Sequence, residues 1–244
     1  MSEQRVFDLY RSLNLWTNPT CTRCKLSTQP PLFGPVGIWQ VGKSYFDDRY
    51  RIVFVGKNAR GSIRVPGEEL AEELAQHGFI DATCEADQWI GDTRSAYWSY
   101  TAAIVEELFG NIDVGWERVA FTNLVKCNNS MDVDTTTAKT ASHCLDELGV
   151  VWKEIELLEP NHIIMFTGWD YDTYIDRYLG NFDGNDETRR DHQIPNGGKM
   201  MLWWERHCVT RSGRKFKILR TSHPERQKKE SFVNQIVQWI VNGK

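Results

Sequence analysis

The sequence predicts an α/β domain with a mainly parallel sheet. Four short apolar, β-branched or aromatic runs are typical of buried strands, and helical patterns lie between them. Strands that alternate with helices indicate a parallel sheet joined by crossover helices. Size is a third observation, because 244 residues with 41% hydrophobic content fit one large domain. We therefore expect a single domain over residues 1–244.

The elements can be placed in order along the chain. Val6, Leu9, Tyr10, Leu13 and Trp16 recur at helical spacing and predict an amphipathic first helix. The predicted strands cover residues 51–55, 118–121, 162–166 and 216–219. The predicted helices between them cover residues 68–77, 97–109 and 137–158. The polar, Gly-rich segment 181–199 predicts a long surface loop.

Composition argues against several classes of protein. The 10 Trp, 8 Tyr and 11 Phe supply more apolar surface than a disordered chain carries. A net charge of -4 excludes a uniformly cationic nucleic-acid coat. No stretch approaches the ~20 apolar residues of a membrane span, and the first residues lack the pattern of a signal peptide. We expect a cytoplasmic protein with no membrane partner.

Polar residues follow each predicted strand, at the positions where ligands of parallel α/β sheets bind. Ordinary turn chemistry accounts for any one of these junctions, but together they bring Asn, Lys and His side chains to one edge of the sheet. The first junction lacks the sequence endings of the nucleotide-binding and dinucleotide-binding loops. The four junctions are residues 56–61 (GKNARG), 122–127 (TNLVKC), 167–170 (TGWD) and 221–226 (TSHPER).

The spacing of four of the six cysteines predicts a metal site. Cys21 and Cys24 form a C-x-x-C in a segment that we expect to be a polar turn. Cys127 follows the second predicted strand and Cys144 lies in the next predicted helix. Four thiolates satisfy either a zinc ion or a [4Fe–4S] cluster, and both remain open on the residues alone.

The net charge is unevenly distributed. Between Arg189 and Lys229, 12 Lys and Arg stand against 3 acids, a local charge of +9 that leaves −13 for the remainder. Such a basic segment is most often a solvated face, but this one surrounds His223 and can position DNA through its phosphates.

The order of these motifs resembles the uracil-DNA glycosylase superfamily, most closely its iron–sulfur branch, over about residues 15 to 230. VFVGKNARG resembles the first catalytic motif, in which a strand runs into Gly-Glu-Ala-Pro-Gly or Gly-Ile-Asn-Pro-Gly. VAFTNLVKC, then Cys144, then LEPNHIIMFTG resembles the family's strand–TNxxKC, cysteine helix and proline–strand–Gly block. TSHPER resembles the final His-Pro-Ser motif.

The resemblance implies a three-layer α/β/α sandwich around a central four-stranded, mainly parallel sheet. It also implies a [4Fe–4S] cluster on Cys21, Cys24, Cys127 and Cys144, with structural zinc as the alternative. The implied reaction is hydrolysis of the N-glycosidic bond of a base that has left the DNA stack.

The resemblance also assigns residue roles. His223 would donate a hydrogen bond to the leaving base and Asn58 would orient the attacking water. Asn123 would read the base, and an aromatic from Tyr97 or Trp98 would stack on it, although either aromatic fits the core equally well. We expect the DNA backbone to be contacted by Lys57, Arg60, Ser222, Arg226, Lys228 and Lys229.

The sequence departs from the iron–sulfur branch in its first motif. The branch's glutamate falls at Lys57, whereas Asn58 matches the Gly-x-Asn of the mismatch-specific branch. Lys57 raises a further alternative, an amine nucleophile that forms a Schiff base with the sugar. No Ser follows His223-Pro224, so a modified pyrimidine is an alternative substrate to uracil.

Three functions follow from these patterns. The first is a monofunctional DNA glycosylase that acts as a monomer on single- or double-stranded DNA, in repair or in defence against foreign DNA. The second is a catalytically silent DNA-binding module of the same fold. The third is a zinc-stabilised α/β hydrolase that acts on nucleotides.

Overall fold

The computed structural model describes residues 2–58, 67–83, 89–90, 94–130, 136–179, 189–196, 199–209 and 213–242. The helices are α1 (Ser2–Ser12), α2 (Pro19–Ser27), α3 (Gly67–His77), α4 (Ala96–Phe109), α5 (Ile112–Trp116), α6 (Ala138–Ser142), α7 (Val150–Leu158), α8 (Asp172–Leu179) and α9 (Lys229–Asn242). The strands are β1 (Gln40–Val41), β2 (Ile52–Asn58), β3 (Val119–Val125), β4 (His162–Met165), β5 (Arg190–Asn196), β6 (Lys199–Val209) and β7 (Lys215–Arg220). The fold is therefore mixed α/β, which confirms the class that the sequence predicts.

The seven strands form one sheet in the order β1-β3-β2-β4-β7-β6-β5. β4 pairs in parallel with both β2 and β7, whereas β6 pairs antiparallel with β5 and with β7. All four predicted strands are present as β2, β3, β4 and β7. The sheet is nevertheless mixed and has seven strands, rather than the four that the resemblance implies.

The prediction of a surface loop over residues 181–199 is wrong for the second half of that segment. Arg190–Asn196 forms β5, which pairs antiparallel with β6 at the edge of the sheet. An edge strand pairs on one side only and exposes polar side chains, so its composition resembles that of a loop. Residues 181–188 lie outside the described residues.

The predicted helix over residues 137–158 is interrupted. It consists of α6, a π-helical segment over His143–Leu148 and α7. Gly149 separates the last two with φ 59, a left-handed conformation that glycine adopts at little cost. The interruption places Cys144 in the wider π-helical turn.

The chain divides into two compact units. Unit 1 comprises residues 1–40, 56–86 and 121–159, and unit 2 comprises residues 41–55, 87–120 and 160–244. In unit 1, α1 packs on α7 and buries Val6 and Tyr10 completely. In unit 2, α9 packs on α4 and buries Phe232 and Ile236. The division into two compact units does not test whether residues 1–244 form a single domain, so that remains a prediction.

Among the described residues, no helix is both long enough and apolar enough to cross a bilayer.

Candidate functional site

Unit 1 contains a small cavity of about 30 Å³ that all four predicted ligand cysteines line. Cys21 and Cys24 come from α2, Cys127 follows β3, and Cys144 lies in the π-helical segment. Apolar side chains such as Leu32 and Val150 complete the wall. Residues that are more than 100 positions apart in the sequence thus line one cavity.

The C-x-x-C lies on a helix rather than in the expected polar turn. Pro19 begins α2, and the Asn18 side chain caps it by accepting a hydrogen bond from the Cys21 N–H at 2.8 Å. Proline at the first helical turn and asparagine at the N-cap are the residues that start helices. Because helical residues three apart share a face, Cys21 and Cys24 are presented together.

Hydrogen-bond donors accompany two of the four sulfur atoms, and a third has a hydroxyl nearby. The Lys126 N–H donates to Cys144 Sγ at 3.5 Å, and Asn18 Nδ2 donates to Cys21 Sγ at 3.5 Å. The Thr28 hydroxyl lies 4.0 Å from Cys24 Sγ. Donors around sulfur stabilise thiolates and orient metal ligands.

Burial raises the pKa of three of these thiols. It raises the pKa of Cys144 to about 12 and that of Cys127 well above its ordinary value. The pKa of Cys127 is raised further because its thiolate would be repelled by thiolates at Cys144, Cys21 and Cys24, whereas the charge of Lys25 opposes this effect. A metal must displace the thiol protons to bind, so the raised pKa values mean that these three thiols are protonated at neutral pH until a metal replaces their protons.

The four thiols that line this cavity match in number the ligands of the [4Fe–4S] cluster that the resemblance implies. Two of them, Cys144 and Cys21, accept a hydrogen bond that would stabilise a thiolate. Within the described part of the chain, no three His, Cys, Asp or Glu side chains converge on a point where they could hold one metal ion. Of the two remaining cysteines, Cys208 is buried in β6, and Cys84 lies outside the described residues.

Glu147 links the two elements that carry Cys21 and Cys144. Its carboxylate pairs with Arg23 on α2 and with His143 in the π-helical segment. The pKa of Glu147 is lowered although burial opposes it, because the hydrogen bond from His143 and the charges of His143 and Arg23 favour the carboxylate. The pairing holds α2 against the segment that carries Cys144.

A buried ionic network lies next to the cysteines. Lys126 lines the cavity and its Nζ lies 2.7 Å from the carboxylate of Glu154 on α7. The hydroxyls of Tyr10 and Thr122 also donate to Glu154. Burial raises the pKa of Tyr10, and the Glu154 charge raises it further. Sequence reasoning missed this network; the signal was a charged residue, Glu154, inside an apolar helical run.

The remaining predicted residues of unit 1 stand at the ends of β2 and β3. Asn58 is the last residue of β2, and its Nδ2 donates to Thr136 Oγ1 at 2.7 Å. Asn123 is a buried polar residue within β3, and Lys57 is half-buried. Thr136 is a further residue that sequence reasoning missed. Arg60 lies outside the described residues.

His223 of unit 2 follows β7 and has 28% of its side chain exposed. Its Nδ1 accepts the Glu225 N–H at 3.3 Å, and the Glu225 carboxylate lies 4.0 Å away. Because Nδ1 accepts, the neutral imidazole carries its proton on Nε2. The His223 ring is thus prepared to donate from Nε2 rather than from Nδ1.

The carboxyl ends of β4 and β7 remain paired beyond the strands. The Thr221 N–H donates to Met165 O at 2.9 Å, and the Gly168 N–H donates to Thr221 O at 3.0 Å. The predicted junctions 167–170 and 221–226 therefore lie side by side within unit 2. Ser222, which is half-buried, belongs to this edge.

Helix α4 is attached to the same edge. The Tyr100 hydroxyl donates to Gln227 O at 2.6 Å, and Lys229 Nζ donates to Ser99 Oγ at 2.7 Å. The Tyr97 ring packs edge-on against Phe166 with centroids 5.6 Å apart. The Tyr97 hydroxyl is buried and has no hydrogen-bond partner among the described residues, and burial raises its pKa.

The two predicted stacking aromatics differ in exposure. Trp98 is buried in the core, whereas Tyr97 is half-buried. Among the predicted DNA-contact residues, Arg226, Lys228 and Lys229 are exposed. Arg226 adopts φ 64, a left-handed conformation that is uncommon outside glycine and is often found at functional loops.

No family model matches this chain, and no curated protein matches its sequence.

Proposed function

We propose that the protein is a DNA glycosylase that hydrolyses the N-glycosidic bond of an extruded uracil or modified pyrimidine and leaves an abasic site. The proposal includes a three-layer α/β/α arrangement of the fold and a monofunctional, hydrolytic mechanism. The observation that carries it is the hydrogen bond from the Glu225 N–H to His223 Nδ1, which assigns the His223 proton to Nε2.

In this mechanism, negative charge develops on the leaving base as the bond to the sugar breaks. His223 Nε2–H would donate to the base's carbonyl oxygen and stabilise that charge. The imidazole needs no change of tautomer before it donates, because Glu225 already occupies Nδ1. Preorganised donors lower the barrier since they do not reorient during the reaction.

The other roles go to residues of matching chemistry. Asn58 would orient the attacking water, since an amide cannot act as a strong base. Asn123 would read the base with its amide donor and acceptor, and Tyr97 would stack on it. Tyr97 suits that role better than Trp98, because Trp98 is buried.

The cysteines supply the proposed cofactor site. Cys21, Cys24, Cys127 and Cys144 would hold a [4Fe–4S] cluster, with structural zinc as the alternative. A bound cluster would supply metal–sulfur bonds that cross-link α2, the end of β3 and the π-helical segment.

The decisive experiment measures base release from oligonucleotides that each contain one uracil or one modified pyrimidine. His223→Ala should lower the rate about 10²–10³-fold, as expected for the loss of one donor to a developing charge. His77→Ala removes an exposed histidine on α3 and should leave the rate unchanged. If wild-type protein releases no base from any substrate, the glycosylase proposal is wrong.

One observation favours the silent DNA-binding module as a second candidate. The Asn58 amide, which would orient the water, already donates to Thr136. DNA binding without base release would support this candidate, and faster base release by Thr136→Ala would contradict it. A borohydride-trapped adduct that Lys57→Ala abolishes would instead support the Schiff-base mechanism.

A further inference from the structure

Trp169 is the one aromatic residue that is predominantly exposed among the described residues. Its exposed fraction is 78%, although tryptophan is on average a highly buried residue. It begins a short 3₁₀ turn over Trp169–Tyr171, which follows β4 after residues 166–168, and it is preceded by Gly168. Isolated exposed apolar residues need no explanation, so the position of Trp169 decides its interpretation.

Trp169 stands at the same edge of unit 2 as His223. The pairing of β4 with β7 continues through Thr221 to the Gly168 N–H. Trp169 therefore follows the end of β4 beside the chain that leads from the end of β7 to Ser222 and His223.

The backbone before Trp169 is specialised. Gly168 has φ 65 and ψ −168, a region that is essentially restricted to glycine. A Cβ atom at Gly168 would meet nothing within 4 Å, so this position requires glycine for its conformation rather than for space. The glycine turns the chain so that Trp169 stays in solvent while Tyr171, two residues later, returns to the core.

The charges at this edge are balanced rather than uniformly positive. Three cations are exposed there, Arg226, Lys228 and Lys229, and so are three acids, Asp170, Glu225 and Glu230. Electrostatic attraction alone therefore contributes little to the binding of a DNA strand near Trp169. An indole face can instead stack on any nucleobase, whatever its sequence.

We propose that Trp169 is a stacking platform for an unstacked nucleobase of a DNA strand that approaches the His223 edge. This inference rests on the proposed function for the identity of the ligand as DNA. It adds a binding residue and assigns its contribution to stacking instead of to charge.

The test is the binding of a fluorescently labelled single-stranded oligonucleotide of about 20 nucleotides, measured by anisotropy. Trp169→Ala should weaken the Kd about 5- to 150-fold, the range of one base–aromatic stack. Trp169→Phe should restore most of the affinity, because a phenyl ring also stacks. Leu202→Ala is the matched control, since Leu202 is 63% exposed in the same unit and lacks an aromatic ring.

Salt dependence separates stacking from charge. Trp169→Ala should shift log Kd equally at all salt concentrations, whereas Lys228→Ala should reduce the slope against log salt by about 0.7. Unchanged circular dichroism and thermal midpoint would establish that Trp169→Ala is folded.

The outcomes are distinguishable from those of the glycosylase proposal. If wild-type protein releases bases and Trp169→Ala binds as tightly as wild type, the stacking inference is wrong and the function stands. If Trp169→Ala weakens binding but no base is released, the inference stands and the glycosylase proposal is wrong. Wild-type protein that binds no DNA overturns both.

Discussion

At the level of single residues, Lys126 and Glu154 form an ion pair from which water is almost excluded. The exposed fraction is 2% for Lys126 and 0% for Glu154. The hydroxyls of Tyr10 and Thr122 donate further hydrogen bonds to the Glu154 carboxylate. A buried pair of this kind adds little net stability over an apolar pair, but the loss of one partner leaves a buried charge uncompensated.

Glu154→Gln should therefore lower the free energy of unfolding by about 3–5 kcal/mol, measured by chemical denaturation. Glu156→Gln on the same helix, where the side chain is exposed, should change it by less than about 0.5 kcal/mol. The double variant Lys126→Met, Glu154→Gln, which also removes the buried cation and keeps an acceptor for Tyr10 and Thr122, should be more stable than Glu154→Gln. A double variant that is equally unstable would contradict the explanation by an uncompensated charge.

His162 makes stability depend on pH. Burial lowers its pKa, the nearby Lys217 charge lowers it further, and a backbone contact with Tyr50 O opposes the shift. The unfolded chain binds a proton near the ordinary pKa of about 6.5, whereas the folded chain resists protonation. Stability is thus complete above that value and declines as the pH falls through it.

Wild-type protein should lose more unfolding free energy than His162→Gln between about pH 7.5 and about pH 5.5. The comparison cancels the other five histidines, because both proteins contain them. Equal pH dependence in the two proteins would show that His162 does not titrate as its burial implies.

At the level of elements, the β5–β6 hairpin is attached to α8 by arginines around Trp204. Arg189, Arg206 and Arg220 lie with their guanidinium carbons 5.3–6.0 Å from the Trp204 ring centroid. Asp172 at the start of α8 accepts from Arg220 at 2.6 Å, and Arg220 is only 3% exposed. Cation–π contacts and a nearly buried ion pair together hold this edge of the sheet.

Asp172→Asn should cost about 1.5–3 kcal/mol of unfolding free energy, the value of a hydrogen bond to a charged group. Asp191→Asn is the control, because Asp191 pairs with Arg189 while 66% exposed, and it should cost less than about 1 kcal/mol. The two variants can be compared by urea denaturation. If both variants lost a similar amount of unfolding free energy, the burial of Arg220 would not determine the contribution of the Asp172–Arg220 pair.

At the level of the whole molecule, the four cysteines join segments that are distant in the sequence. Protein purified without oxygen should be brown and contain iron, with visible charge-transfer absorption. Cys127→Ser should lose that absorption, whereas Cys208→Ser should keep it, because Cys208 is buried in β6 and does not line the cavity. Colourless protein that contains zinc would instead favour the structural zinc site.

Much of the fold follows from local sequence patterns. The four predicted strands are β2, β3, β4 and β7, because fully buried strands need continuous apolar runs that are visible in sequence. β5 escaped prediction because an edge strand needs no such run. The π-helical segment escaped because apolar spacing alone does not distinguish it from an α-helix.

The candidate site likewise contains residues that the sequence predicted and residues that it did not. The sequence identified cysteine, asparagine and histidine side chains by their chemistry and by their positions after strands. It did not identify Thr136, Glu147, Glu154 or Trp169, because ordinary roles explain a threonine, a glutamate or a tryptophan equally well in sequence.

By itself, the sequence determined the α/β class, the positions of four strands and the residue types that could perform chemistry. These features depend on the apolar periodicity and composition of short segments. Only the tertiary structure decided that four cysteines line one cavity and that Glu154 meets Tyr10, 144 residues away. It also decided the acceptor role of His223 Nδ1 and the exposure of Trp169. Each of these depends on contacts or burial in the folded chain, which no local pattern encodes.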